Sequence, residues 1–275
     1  MTPQAALASK SPAAAIVLRE DHGSIAMLVL NRPEARNSLS QAMIDSLSAA
    51  LIEVAKDRSV RALIIAANGP AFCAGHDMKE MTARRSDPDK GRAFFRHMFD
   101  SCAAMMQSIV HLPQPVIAAV QGPASAAGCQ LVASCDLAVA STDARFATPG
   151  VNIGLFCSTP MVALSRNVAN KHAMEMLLAG ELIDAKRAYE IGLLNRVVDA
   201  GRERHAALEL ANKIASKSAH VLKIGKEAFY KQRELDLAAA YRYTAEVMTE
   251  NMLARDAVEG IGAFVEKREP KWEDR

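Results

Sequence analysis

The sequence predicts a layered α/β protein whose C-terminal part is almost wholly helical. Apolar runs of strand length alternate with segments of helical periodicity up to about residue 155, and beyond Pro160 helical spacing dominates. No apolar run approaches the roughly 18 residues that a membrane span needs. Half of the 275 residues are apolar and 23% are charged, which excludes a disordered or collagen-like chain. Basic residues exceed acidic ones by only two (33 − 31), so no nucleic-acid partner is expected, and an anionic ligand has to be met by local groups.

Residues 1–15, rich in Ala, Ser and Pro, read as a flexible tail. Short strands at 16–18 and 25–30, separated by turn formers at 21–24, open the fold as a hairpin. Ser40 is placed to cap a helix over 41–56, in which Met43, Ile44, Leu47, Ala50, Leu51 and Val54 share one face. The apolar run 60–67, stopped by Asn68, Gly69 and Pro70, completes a β-α-β unit. The pattern then repeats, with a helix over 91–110, a strand over 116–120, a short helix over 127–134 and a strand over 137–140. Helices follow at 161–168, 173–178, 185–191, 202–216, 221–232, 237–251 and 256–267, interrupted by one strand at 194–198. Lys223, Lys226, Lys231 and Arg233 read as a solvated helix face, and Asp136 as a structural acid.

Cys73, Cys102, Cys129, Cys135 and Cys157 are odd in number and form no C-x-x-C pair. They point to a reducing compartment, to no disulfide framework and to no metal site.

Two segments concentrate small residues directly after buried strands. In the first, residues 69–79, Ala and Gly let backbone approach a ligand, and a helical turn beginning at Asp77 would leave N–H groups near His76 pointing outward. The spacing alone favours a plain tight turn. The second segment, residues 121–130, repeats the arrangement and runs into a helix whose first N–H groups carry the positive end of the helix dipole. Two such donors converging on one oxygen would stabilise an enolate or a tetrahedral oxyanion. Periodicity does not say whether the two segments meet.

Four stretches in this order, residues 31–39, 71–79, 122–136 and 257–268, resemble the enoyl-CoA hydratase/isomerase (crotonase) superfamily, with similarity running from about residue 16 to the C-terminus. The resemblance implies a crotonase (ClpP/crotonase-like) ββα spiral core over 16–200 and a helical oligomerisation region over 201–275 that builds a homotrimer or a hexamer of two trimers. It places an oxyanion hole on the backbone N–H groups of His76 and Ala127, ready for the carbonyl of an acyl-CoA or enoyl-CoA thioester. Arg32, Ala35, Ala74, Asp77, Met78 and Lys79 match segments that receive coenzyme A, with Lys79 near the phosphates. Phe264 and Lys267 match positions that reach coenzyme A from a neighbouring subunit, while Gly128 and Cys157 fall near the acyl group. No separate cofactor is implied, because coenzyme A is part of the substrate. Fatty-acid or related acyl-CoA metabolism in the cytoplasm, or in the mitochondrial matrix of a eukaryote, is the implied setting.

The sequence departs from the family where protons move. Hydratases of the family carry two carboxylates across the double bond, and here those positions are Gln130 and Gly150. An amide does not titrate near neutral pH and Gly has no side chain, so neither exchanges a proton. Losing one general acid or base costs about 10²- to 10⁴-fold, and a low hydratase rate is expected. The family role of His76 is its backbone, and Asp77 is expected to start a helix. Cys157 is open to two readings, a thiol facing the acyl group or a small buried hydrophobe. A non-catalytic acyl-CoA-binding protein is the alternative to an enzyme.

Overall fold

The hairpin at the start of the fold forms between β1 (Val17–His22) and β2 (Ile25–Leu30), and the computed structural model describes residues 15–275. All but Ala15 of the expected tail lies outside the described residues. The first strand is longer than its apolar letters suggest, because a sheet edge tolerates polar residues. Its Arg19 reaches Asp57 at 2.6 Å and Asp21 at 2.9 Å.

Next comes α1 (Gln41–Lys56), capped by the Ser40 hydroxyl, which accepts from the Met43 amide at 3.2 Å. Then follow β3 (Ala62–Ala67), the short helix α2 (Met78–Ala83), the long α3 (Arg92–His111) and β4 (Val116–Val120). A two-residue strand β5 (Ala124–Ser125) leads into α4 (Ala127–Ser134), with the bounds the periodicity predicts, and β6 (Leu137–Ser141) and β7 (Arg145–Ala147) come after it. A 3-10 turn over Pro149–Ile153 precedes α5 (Pro160–Asn167), α6 (Asn170–Ala179), β8 (Ile183–Asp184), α7 (Ala185–Glu190) and β9 (Arg196–Val198). Four helices close the chain: α8 (Glu203–Ala215), α9 (Ala219–Gln232), α10 (Leu237–Leu253) and α11 (Arg255–Glu266).

The main sheet runs β1-β2-β3-β4-β6-β9 and is parallel except for the first pair, while β5, β7 and β8 make a second, small sheet. Strand side chains alternate between faces. Leu28, Leu30, Leu63, Ile65 and Val120 pack with α1, α3 and α4. Ile25, Met27, Val29, Ile64 and Ile117 meet the alanines of α8, Ala207 and Ala211 among them. With both faces covered, the parallel strands are continuous apolar runs, which is why they were readable.

The reading of Lys226 as part of a solvated face is wrong. Its ammonium is 8% exposed and bonds Asp136 at 2.7 Å and the carbonyls of Ile109 and Gln114 at 3.0 Å. Burial pulls its pKa down, against the opposing pull of Asp136. Tyr230 donates to the same carboxylate at 2.8 Å and the Val116 amide does so at 2.7 Å, so Asp136 ties α9 to the sheet. A desolvated cation held by two carbonyls and one carboxylate is favourable only while every partner stays in place.

Candidate active site

The loop between β3 and α2 is fixed by the loop that precedes α1. Asn37, fully buried at φ 52°, donates through its side-chain amide to the carbonyls of Asn68 and Ala71, both at 2.8 Å. Its oxygen accepts from the Arg32 amide at 2.8 Å. The Leu39 amide donates to the Gly75 carbonyl at 2.8 Å and the Asp77 amide to the Leu39 carbonyl at 3.1 Å, so residues 39 and 76 pair like strands. Asp77 is the N-cap of α2, as its position predicts, and accepts from the amides of Lys79 and Glu80 at 3.0 and 3.2 Å. Arg32 meets its other oxygen at 2.8 Å. Burial pushes the Asp77 carboxyl up, but Arg32 and the two amides together hold it below the ordinary range.

The two small-residue segments do meet. The amide of Ser125 donates to the Cys73 carbonyl at 2.9 Å, and Phe72 and Cys73 donate to Pro123 at 3.0 and 3.2 Å. Gly128 lies so close to this crossing that a Cβ there would come 2.0 Å from the Cys73 oxygen. Gly75, at φ 91°, sits with its missing Cβ 3.4 Å from the Ala127 nitrogen. Ala126 takes φ 50°, a conformation L-residues avoid, and its amide is anchored on the Ala147 carbonyl at 2.9 Å. This strained residue turns the chain into α4, with the Ala127 nitrogen beside Gly75. Among the described residues, neither the His76 amide nor the Ala127 amide has a protein partner.

The side chains around this crossing offer little acid-base chemistry. The His76 ring packs edge-on against Phe99, centroids 5.3 Å apart, and its buried Nε2 has no partner among the described residues. Burial lowers its pKa to about 4, so the imidazole is neutral at physiological pH. Gln130, one helical turn beyond Ala127, is 5% exposed with a buried, unpartnered Oε1. Gly150 is not an open position. A Cβ there would lie 2.9 Å from the Leu155 oxygen and 3.0 Å from Cys157 Sγ, and the Gly150 amide donates to that sulfur at 3.4 Å. Cys157 is 7% exposed and burial raises its pKa, which supports the small-hydrophobe reading over a reactive thiol.

Of the residues expected to receive coenzyme A, the structure brings Arg32, Ala35, Ala74, Asp77, Met78 and Lys79 onto the two knitted loops, with Ala74, Met78 and Lys79 exposed. Phe264, 84% exposed, and Lys267 stand at the end of α11 facing solvent, and no hydrogen bond among the described residues joins them to those loops. Asn37 went unsingled by sequence reasoning, although an Asn after Arg36 is a known mark of left-handed backbone.

Comparison with known proteins gives the family and the fold. The enoyl-CoA hydratase/isomerase family profile matches residues 20–275. Human enoyl-CoA hydratase domain-containing protein 3, mitochondrial, is 48% identical over 89% of this chain and 79% of its own length. The crystal structure of that human protein superposes with a TM-score of 0.89 at 46% identity, covering 94% of this chain and all of the other. An enoyl-CoA hydratase of Mycobacterium smegmatis gives the same TM-score at 48% identity over 94% and 99% of the two chains.

Proposed function

The chain belongs to the enoyl-CoA hydratase/isomerase family and has its crotonase fold, and from that membership we propose that it binds acyl-CoA thioesters and stabilises a thioester enolate. The observation that carries this reading is the convergence of Gly75 on the Ala127 nitrogen, with the His76 and Ala127 amides both unpartnered among the described residues. A thioester oxygen between these donors gains charge as the enolate forms, and donors already in place cost no reorganisation at that moment. The loops are held by Asn37 and by the Arg32–Asp77 pair, so the hole is fixed by structure rather than by the ligand.

Proton transfer does not follow the family's two-carboxylate route. Gln130 cannot titrate, Gly150 is closed over by Leu155 and Cys157, and His76 is neutral and packed on Phe99. The reading is a lyase or isomerase of low hydratase rate, with water or the substrate itself completing proton transfer. Lys79 is exposed at the start of α2, where it suits the coenzyme A phosphates.

Assembly as a homotrimer or hexamer is part of the same reading. No residue of α10 is buried, and Leu237, Tyr241 and Met248 on one of its faces are exposed, as are Ile261, Phe264 and Val265 on α11, apolar side chains that a second copy would cover. Phe264 and Lys267 would then serve a neighbour's coenzyme A. The named human relative is mitochondrial, so the setting is the mitochondrial matrix if the source is eukaryotic and the cytosol otherwise. The closed Gly150 position favours a second reading, a regulatory or scaffold protein that binds acyl-CoA without turnover.

Calorimetry and steady-state hydration with crotonyl-CoA test these readings. Binding with hydration far below about 10 s⁻¹ is expected. Isomerisation or decarboxylation of any thioester in a panel supports the enzyme, and turnover of none supports the binding protein. Absence of thioester binding overturns both, and a monomer by light scattering overturns the assembly.

A further inference from the structure

A cavity of about 1160 Å³ lies between α3, α4, α5 and α9, and Gln130 lines it. On α4 the residues that line it are Gln130, Ala133 and Ser134, while Leu131 and Val132 do not. Ala127, Gln130 and Ala133 follow one another at a spacing of three and so lie along one face of the helix. Ala127 is itself buried and does not line the cavity, and Gln130, one turn further along at about 1.5 Å of rise per residue, is the first α4 residue that does. Gln130, 95% buried by its 5% exposure, leaves its Oε1 without a partner here, and a buried orphan of this kind calls for a ligand group.

The walls and the mouth differ in chemistry. Met106, Val110, Leu112, Val162 and Ala163 make the walls apolar. Exposed around the rim stand Arg166, Lys223, Lys231 and Arg233 against Glu227 and Glu234, while the buried side chain of Lys226 lines the cavity from within. Asp136 takes Lys226 at 2.7 Å and Glu234 takes Arg166 at 3.4 Å. Lys223, Lys231 and Arg233 then have Glu227 alone as lining counter-charge, an excess of two positive charges (3 − 1), with Arg233 also donating to the Arg166 carbonyl and Lys231 lying over the Tyr243 ring. A plain hydrocarbon tail gains nothing from such a rim, whereas an anion at the end of a chain does. The amide at position 130 also suits this passage, because a carboxylate there would repel an anionic ligand inside a low-dielectric wall.

We propose that this cavity takes the chain of an acyl thioester that ends in a carboxylate, with the thioester at the His76 and Ala127 amides, the methylenes along α4 and the terminal carboxylate among Lys223, Lys231 and Arg233. The inference rests on the thioester reading above and names the substrate class for it.

The experiment compares the binding of acetyl-CoA, decanoyl-CoA and its ten-carbon ω-carboxy counterpart by calorimetry at low salt. The dicarboxylic thioester binds about tenfold or more tightly than decanoyl-CoA, and added salt shrinks the gap. The charge reversal Lys223→Glu/Lys231→Glu abolishes or inverts the gap and leaves acetyl-CoA binding unchanged. Val162→Trp, which keeps every charge, weakens both ten-carbon thioesters and spares acetyl-CoA. Melting curves establish that both variants are folded. Equal affinity of the two ten-carbon thioesters, a preference that survives the charge reversal, or tight binding of the free ten-carbon diacid without coenzyme A each overturns the inference while leaving the thioester site standing. Failure of acetyl-CoA to bind brings down both.

Discussion

Positions 130 and 150 both lack the carboxylate that family hydratases place there, yet their surroundings have gone different ways. Gln130 keeps a side chain of the same length, buried at the edge of a large cavity with an unsatisfied oxygen. Gly150 has been filled from outside, since the Leu155 carbonyl and Cys157 sulfur stand where a side chain would begin. The difference is that Gln130 borders an open cavity while position 150 is closed by a backbone oxygen and a sulfur. A carboxylate side chain is therefore expected to be accommodated at position 130 and not at position 150.

The largest effect that tests this contrast is Gly150→Glu. A Cβ at 2.9 Å from a backbone oxygen forces the 150–157 turn to move. Overpacking of this kind costs about 3 kcal/mol, read as a fall in melting temperature or loss of folded protein. An unshifted melting curve would mean that the turn yields freely.

His76 comes next, because it is the remaining titratable ring beside the hole. Its folded pKa of about 4 lies below the ordinary value of 6.5, so between these values the unfolded chain binds a proton that the folded one refuses. Its contribution is complete above pH 6.5 and falls away as the pH drops toward 4. After allowance for partial exposure it amounts to about 2 kcal/mol. Urea midpoints from pH 4 to 7 show the slope, and His76→Phe flattens it. With the amide and not the ring as the proposed oxyanion donor, His76→Phe is expected to retain thioester binding, and loss of binding in a folded variant would assign the ring a role.

Gln130→Glu is milder, changing stability by about 1 kcal/mol at neutral pH, with a carboxyl whose burial raises its pKa. Smallest of all is the coupling between Gly150→Ala and Cys157→Ala in a double-mutant cycle. Removing the sulfur relieves about 0.5–1 kcal/mol of the strain that the added methyl makes, and additive effects would separate the two residues.

How far the sequence spoke follows the range of the forces. The apolar runs of β2 and β4, the Ser40 cap and the 127–134 helix are local patterns and were legible. The strands β5 and β7, two and three residues long, are too short to show a period, and the resemblance alone carried the expectation that the segments of His76 and Ala127 meet. Lys226 looked solvated because its neighbours in sequence are charged, and its partner Asp136 lies 90 residues earlier. Gly150 read as a vacancy because a letter cannot show what stands beside it.

The most direct test is the infrared spectrum of crotonyl-CoA, isotope-labelled at the thioester carbonyl, bound to the protein, followed in time for hydration. Two backbone donors on the carbonyl oxygen lower its stretching frequency relative to water, and the account predicts that shifted band persisting without hydration. A carbonyl band unmoved on binding, or prompt hydration at an ordinary enzyme rate, would contradict it.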